Sequence, residues 1–392
     1  MRAGKGNRRT IYAIIAHSHA DGSNIVTESL KSPGWWSGIG LALFVSVAAG
    51  YVADWFGVSI LGFSKSPVSA IMMAIVLGML IANTIRLPAS IQPGLKFCTS
   101  AILRIGIMLL GIRLSLTGAG QFTLVALPFV IAAIGIGLFT VGLLGRYMGL
   151  SRQLSGLIAV GTSICGCTAI VATAPLIKAN ESEVSYAIAC ITVFGLAAMF
   201  FYPVLAHQVF ATQPELAGLF LGTSIHETAQ VAGAGMMYEA QYNAPVALDI
   251  ATVTKLVRNL CMIAVIPLVG ILYGAERREG DTSKINFLAM IPWFIVGFAL
   301  MSAFRTVGDI GDKPFGLLQP EQWAETVGFL KESAERCLLV AMAAVGLTSM
   351  FAGIIKIGIR PFALGLFAAV LIGGVSFALI SLFGADLIAL LV

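Results

Sequence analysis

Residues 122–145 read FTLVALPFVIAAIGIGLFTVGLLG, an unbroken run without a charged side chain. As a helix rising 1.5 Å per residue, such a run measures about 36 Å, enough to cross a hydrocarbon core of about 30 Å. In lipid every backbone N–H and C=O needs a partner within the protein, and only helices and closed barrels supply one throughout. Barrel strands alternate apolar and polar residues over about ten positions. This run does not alternate, so it is a membrane helix.

Reading outward, apolar runs of similar length recur along the chain. They predict eleven spans, at 35–56, 67–85, 97–115, 122–145, 154–177, 184–208, 215–236, 248–274, 286–303, 335–357 and 361–384. The third contains Arg104, and the seventh contains His226 and Glu227. The fold class expected is an all-α polytopic membrane protein.

Composition agrees with this. Of 392 residues 58% are hydrophobic and 11% charged, whereas a soluble surface needs about 25% charged residues. The longest loop between spans, 304–334, is too short for a separate soluble domain. Residues 1–34 are polar and basic, and their only apolar stretch, Ile11–Ala16, is shorter than a signal-peptide core. They read as a cytoplasmic tail. The net charge of +5 comes with no dense basic patch interleaved with aromatics, so nucleic acid is not an expected partner. The six cysteines lie in or beside apolar runs, without disulfide-framework spacing.

Lys and Arg in short loops set orientation. With the N-terminus inside, the inner segments hold Arg2, Lys5, Arg8, Arg9, Lys31, Arg86, Lys96, Arg146, Arg152, Arg277, Arg278, Lys284, Lys356 and Arg360. The short outer loops hold only Lys65, Arg113 and Lys178. The N-terminus is therefore expected in the cytoplasm and the C-terminus outside. Arg113, Lys178 and Asp249 fall at span ends and read as interfacial anchors.

Setting aside a first helix and its loop (35–66) leaves ten spans, or two five-helix units at 67–210 and 211–392. An odd-sized repeat has opposite orientations in its two copies, the inverted topology of many secondary transporters. The fourth span of unit one carries Gly161-Thr162-Ser163; that of unit two carries Gly346-Leu347-Thr348-Ser349. Gly relaxes the bias toward helix, and Ser or Thr can bond the freed backbone. Two broken, crossing helices are expected, at Ser163 and Ser349. The competing reading is close packing, since small residues let helices approach in lipid. A third cluster, Gly222-Thr223-Ser224-Ile225, matches Gly161-Thr162-Ser163-Ile164, yet the five-plus-five scheme offers no reason for the likeness.

Charges within hydrocarbon cost several kcal/mol and usually face a partner or cavity. Lys255 and Arg258 share a helix face with Thr254. His226 and Gln230 would share one if their segment were helical. Half-helix N-termini offer free N–H groups and positive potential to an anion. The residue set points to a small-anion site made by Thr162, Ser163, Cys165, Gly166, Thr168, Gln230, Lys255, Arg258, Thr348 and Ser349. His226 or Glu227 would carry a coupling proton, His226 because its ordinary pKa is near about 6.5. The bland alternative is structural pairing, for example of Glu227 with Arg258.

Enzyme chemistry is not expected. Cys165-Gly166-Cys167 lacks a second ligand pair for a metal, no P-loop occurs, and no nucleophile–base pair is legible around Ser163, Cys165 and His226. Neither a metal nor another cofactor is expected.

Three blocks, Gly161-Thr162-Ser163-Ile164-Cys165-Gly166, Ser224-Ile225-His226-Glu227-Thr228-Ala229-Gln230-Val231 and Lys255-Leu256-Val257-Arg258, resemble the bacterial YeiH family in order and spacing. The resemblance extends over about residues 35–385. It implies a bacterial inner-membrane location and the inverted-repeat fold of the cation/proton antiporter and bile-acid symporter superfamily. The family's usual label, sulfate exporter, implies sulfate or a related sulfur oxyanion as substrate. Proton coupling is one option and sodium-coupled organic-anion transport the alternative. A non-transporting membrane subunit is disfavoured by the buried Lys and Arg. Transporters of this architecture often pair through their immobile parts, so a homodimer is expected.

Overall fold

The computed structural model describes residues 33–60, 69–273, 292–310, 314–349 and 358–389. Nearly all of the basic tail, the inner-loop Arg277, Arg278 and Lys284, and residues 350–357 after Ser349 lie outside the described residues. Among the described residues there is no strand.

The helices are α1 (Pro33–Asp54), α2 (Ala70–Thr84), α3 (Ala89–Arg113), α4 (Leu116–Tyr147), α5 (Arg152–Ser163), α6 (Cys167–Thr173) and α7 (Glu181–Phe210). After them come α8 (Pro214–Ser224), α9 (Thr228–Tyr242), α10 (Pro245–Leu260), α11 (Met262–Tyr273), α12 (Trp293–Gly308), α13 (Pro320–Thr348) and α14 (Ile359–Ala389). Their starts obey local chemistry. Ser115 and Ser151 cap α4 and α5 through their hydroxyls. Asn180 and Glu183 form a capping box on α7, and proline opens α8, α10 and α13 where an N–H would be unpaired anyway.

By length and apolarity α1, α3, α4, α7 and α14 can each cross a bilayer, and α10 with α11 makes a sixth such path, bent by 40°. The protein is a polytopic helical membrane protein. Its outward faces carry Phe44, Phe139, Phe201, Val370 and Leu382, large apolar side chains suited to lipid rather than water.

Two expected spans do not cross. The hydroxyl of Ser151, at the start of α5, bonds Glu183 in the first turn of α7, and Leu176, after α6, lies against Gly270 of α11. The segment 152–173 therefore enters from one face, turns at 164–166 and returns to that face. The segment 214–242 does the same from the opposite face. Tyr242, ending α9, stacks on His207 near the end of α7, just before α8 sets out. Hydropathy reads the length of an apolar run and is blind to a reversal within it. Both the expected fifth and seventh spans are thus re-entrant hairpins.

The helices gather into two bundles. One holds α1, α2, α3, α12 and α13; the other holds α4 to α11 and α14. Glycines set the closest approaches. In the first bundle Gly346 of α13 lies against Gly78 of α2, where an added Cβ would come within 3.0 Å of the Gly78 Cα. Close packing, rather than an opposed half-helix, accounts for Gly346. At its far end α13 is tied to α12 in a loop: Asp309 accepts from Trp323 Nε1 at 2.8 Å and from Arg305 Nε at 2.6 Å. Burial works to raise the Asp309 carboxyl. Those hydrogen bonds and the Arg305 charge outweigh it and hold the carboxyl below the usual range.

Candidate functional site

The two hairpins meet tip to tip. In the first, α5 stops at Ser163, and Gly166 turns the chain with φ +70° and ψ −128°, a conformation essentially restricted to glycine. In the second, α8 stops at Ser224, and 225–227 is extended or bent before α9 begins. The tips are built alike. Thr162 Oγ1 bonds back to the Ile158 and Ala159 carbonyls at 2.8 and 3.1 Å. Thr223 Oγ1 bonds the Leu219 and Phe220 carbonyls at 2.8 and 3.2 Å. The likeness between Gly161–Ile164 and Gly222–Ile225 is thus a likeness of opposed tips. The break facing Ser163 lies at 225–227, not at Ser349.

Each tip leaves helix carbonyls without an intrahelical partner. Two cations of α10 take them. Arg258 donates from Nε to Ser163 O at 2.8 Å, from Nη1 to Thr223 O at 2.7 Å and Ile225 O at 2.9 Å, and from Nη2 to Thr162 O. Lys255 Nζ donates to Ile164 O at 2.9 Å, Ile225 O at 3.0 Å and His226 O. Both side chains are fully buried. One face of α10 thus fastens both tips, while its Val253, Leu256, Val257 and Leu260 face α4 and α12 across an apolar cavity of about 210 Å³.

The structure answers the pairing proposed for Glu227 differently. Its Oε1 accepts the Cys167 N–H at 2.7 Å, so the second tip caps the first hairpin's returning helix. His226 is buried in non-helical chain and does not share a helix face with Gln230. The Thr162 carbonyl lies near its ring, but neither ring nitrogen makes a well-formed hydrogen bond. Gln230 Nε2 donates to Thr192 O at 3.2 Å, leaving its Oε1 unpartnered beside Gly195. The Cys165 thiol points at the Met262 sulfur.

Thr168, in the first turn of α6, is exposed. Thr348 and Ser349 end α13 in the other bundle, where the Ser349 carbonyl accepts from Asn83 of α2 at 2.9 Å. The structure brings neither of them to the cations. It adds three residues outside the expected site set, among them Thr254, which shares the helix face of the cations. Ser224, Thr254 and Asn259 are buried, and like Ser163 each has a side-chain oxygen with no partner; Asn259 Nδ2 donates to Thr228 Oγ1 at 3.1 Å. The Gly-Thr-Ser-Ile likeness carried the signal for Ser224.

Arg113 and Asp249 are not interfacial anchors. Arg113 is 6% exposed and bonds Glu239 of α9 and Asp249 of α10 at 2.6 Å each, and Glu335 of α13 at 3.3 Å. Three carboxylates scattered across the sequence gave no local motif to read.

Opposed re-entrant hairpins clasped by buried cations define a polytopic membrane protein with a polar centre. The family model described as Conserved hypothetical protein 698 matches residues 37–365, and the chain belongs to that family. It is 33% identical over 364 residues to the UPF0324 inner membrane protein YeiH of Escherichia coli K12, covering 90% of this chain and 96% of the relative. A UPF0324 membrane protein of Bacillus cereus is 31% identical over 361 residues, 92% of this chain and 98% of the relative. One from Oceanobacillus iheyensis is 33% identical over 357 residues.

Proposed function

We propose that the protein is a secondary transporter of a small anion, not an enzyme, and that the anion binds between the hairpin tips. The observation that carries this reading is the charge balance there. Two converging helix C-termini contribute about one negative unit, and the N-termini of α6 and α9 about one positive unit. Lys255 and Arg258 add two positive charges and Glu227 one negative. The sum leaves about one positive charge in a buried, low-dielectric place, which favours an anion. The unpartnered hydroxyls of Ser224 and Thr254 and the His226 ring are the candidate donors, while the Ser163 hydroxyl lies against Gly137 of α4. Lys255 and Arg258 act through the field, since their hydrogen bonds go to carbonyls.

Sulfate is the first substrate to test, with His226 or Glu227 as carrier of a coupling proton. The opposed hairpins suit an inverted repeat, each unit being a hairpin followed by a crossing helix (α7 or α10–α11). The N-terminus lies in the cytoplasm by the Lys and Arg count, and the protein works as a homodimer in the inner membrane.

The test is counterflow in proteoliposomes preloaded with sulfate, with trace radiolabelled sulfate outside. Protein-dependent accumulation is expected, and Ser224→Ala or His226→Gln should weaken it while leaving the protein folded. No accumulation by inserted, folded protein removes sulfate. Unchanged kinetics in both variants and in Arg258→Gln removes the site.

A further inference from the structure

The Arg113 cluster lies away from the hairpin tips, at the face from which α8 enters, and it joins the two bundles. Arg113 and Glu335 belong to the first bundle; Glu239 and Asp249 belong to the second. Its composition is unbalanced: one guanidinium serves three carboxylates. Of the other charged groups that face it, Lys331 and Glu332 both lie on α13, and Glu332 is already paired with Arg336 at 2.6 Å. With Lys331 counted, the three acids still outnumber the cations. Like-charged carboxylates gathered on one guanidinium repel each other, and protonating one relieves that repulsion. The carboxylates remain reachable from solvent, with side-chain exposures of 14% for Asp249, 25% for Glu239 and 46% for Glu335.

We propose that Arg113, Glu239, Asp249 and Glu335 form a proton-binding latch, closed when the carboxylates are charged and released when protons occupy them. Its moving part is α9, the outer arm of the second hairpin, because Glu239 is its tie to Arg113. The sign follows from the pairing. Charged carboxylates bind the guanidinium, so the latch holds at neutral pH and loosens as the solution turns acid. The inference does not depend on which solute occupies the hairpin tips.

Hydrogen exchange of the full-length protein in nanodiscs, read by mass spectrometry, tests it. After correction for intrinsic rates, amides over 234–242 should exchange about tenfold faster in mild acid than at neutral pH, the loss of about one charged hydrogen bond. Amides of α5 should not respond. Glu239→Gln should exchange fast at both values. Glu335→Gln keeps both short bonds and removes one negative neighbour, so it should need a more acid solution to reach the same rate. Equal protection of 234–242 at both pH values overturns the latch. So does an unaltered acid response in Glu239→Gln and Glu335→Gln. Replacing sodium by choline should change nothing; a sodium-dependent response would overturn the proton as occupant. None of these readouts involves an anion, so their failure is distinct from failure of the transport reading.

Discussion

Gly166 and the two cations show what single side chains do in this fold. At Gly166 φ is +70°, and an added Cβ would meet the Glu227 carboxylate, with Cδ at 2.7 Å. Gly166→Ala should therefore destabilise the purified protein by about 2 kcal/mol or more, from backbone strain and the displaced cap together. Gly135→Ala, on an open helix surface, should leave the thermal midpoint nearly unchanged. Equal effects of the two would refute this account of the turn. Lys255→Met and Arg258→Met strip carbonyls of their buried partners and should each cost about 3–5 kcal/mol in the same melt. These positions were legible because Lys and Arg are expensive in an apolar run. Their partners were not, since a backbone carbonyl has no letter in the sequence. Thus the cations could be found, while their attachment to the tips needed the fold.

The hairpins are the elements that reading by apolar run could not separate from spans. Turning at the centre costs no hydrophobicity, because Gly, Ser, Thr and Ile at the tips pass for a weak span. Direction is tested by labelling. In a background without exposed native cysteines, Arg152→Cys and Lys178→Cys should react with an impermeant thiol reagent from the same side of sealed vesicles. Reaction from opposite sides would restore the crossing span. The long apolar spans α1, α3, α4, α7 and α14 are legible because run length is what lipid selects. The helix α13 does end at Ser349, where the Gly-Thr-Ser cluster predicts a break, but it ends in the other bundle beside Asn83, and the break that faces Ser163 lies at 225–227. The loop joining α12 to α13 has its own signature. Asp309 contributes stability above the unfolded carboxylate range, near about 3.9, and loses it as pH falls through the lower folded value. Asp309→Asn should lower the melting temperature at neutral pH and have little effect in strong acid.

Both hairpins and the helix that clasps them belong to one bundle, which constrains the transport mechanism proposed above. A site whose two tips are fastened to the same helix cannot open by separating them without stripping Lys255 and Arg258 of their carbonyls. For the proposed transporter, access then comes from moving the second bundle against the first. The contact between them suits such motion. It includes α12 against α4, α9 against α2 and α13, the Arg113 cluster and an apolar cavity whose lining comes from α4, α10 and α12. An apolar gap has few directional bonds to break when one wall slides past the other, whereas the ionic cluster fixes one register. On the transport function proposed above, joining the bundles across that gap should arrest transport while sparing the proposed site. Ala119 of α4 and Ala299 of α12 both line the cavity, so Ala119→Cys with Ala299→Cys gives a pair for a short bifunctional thiol reagent. Cross-linked protein should lose counterflow yet still bind the anion in an equilibrium assay, and cleaving the linker should restore flux. Full counterflow in completely cross-linked protein would mean that the bundles stay fixed and that the hairpin tips themselves move.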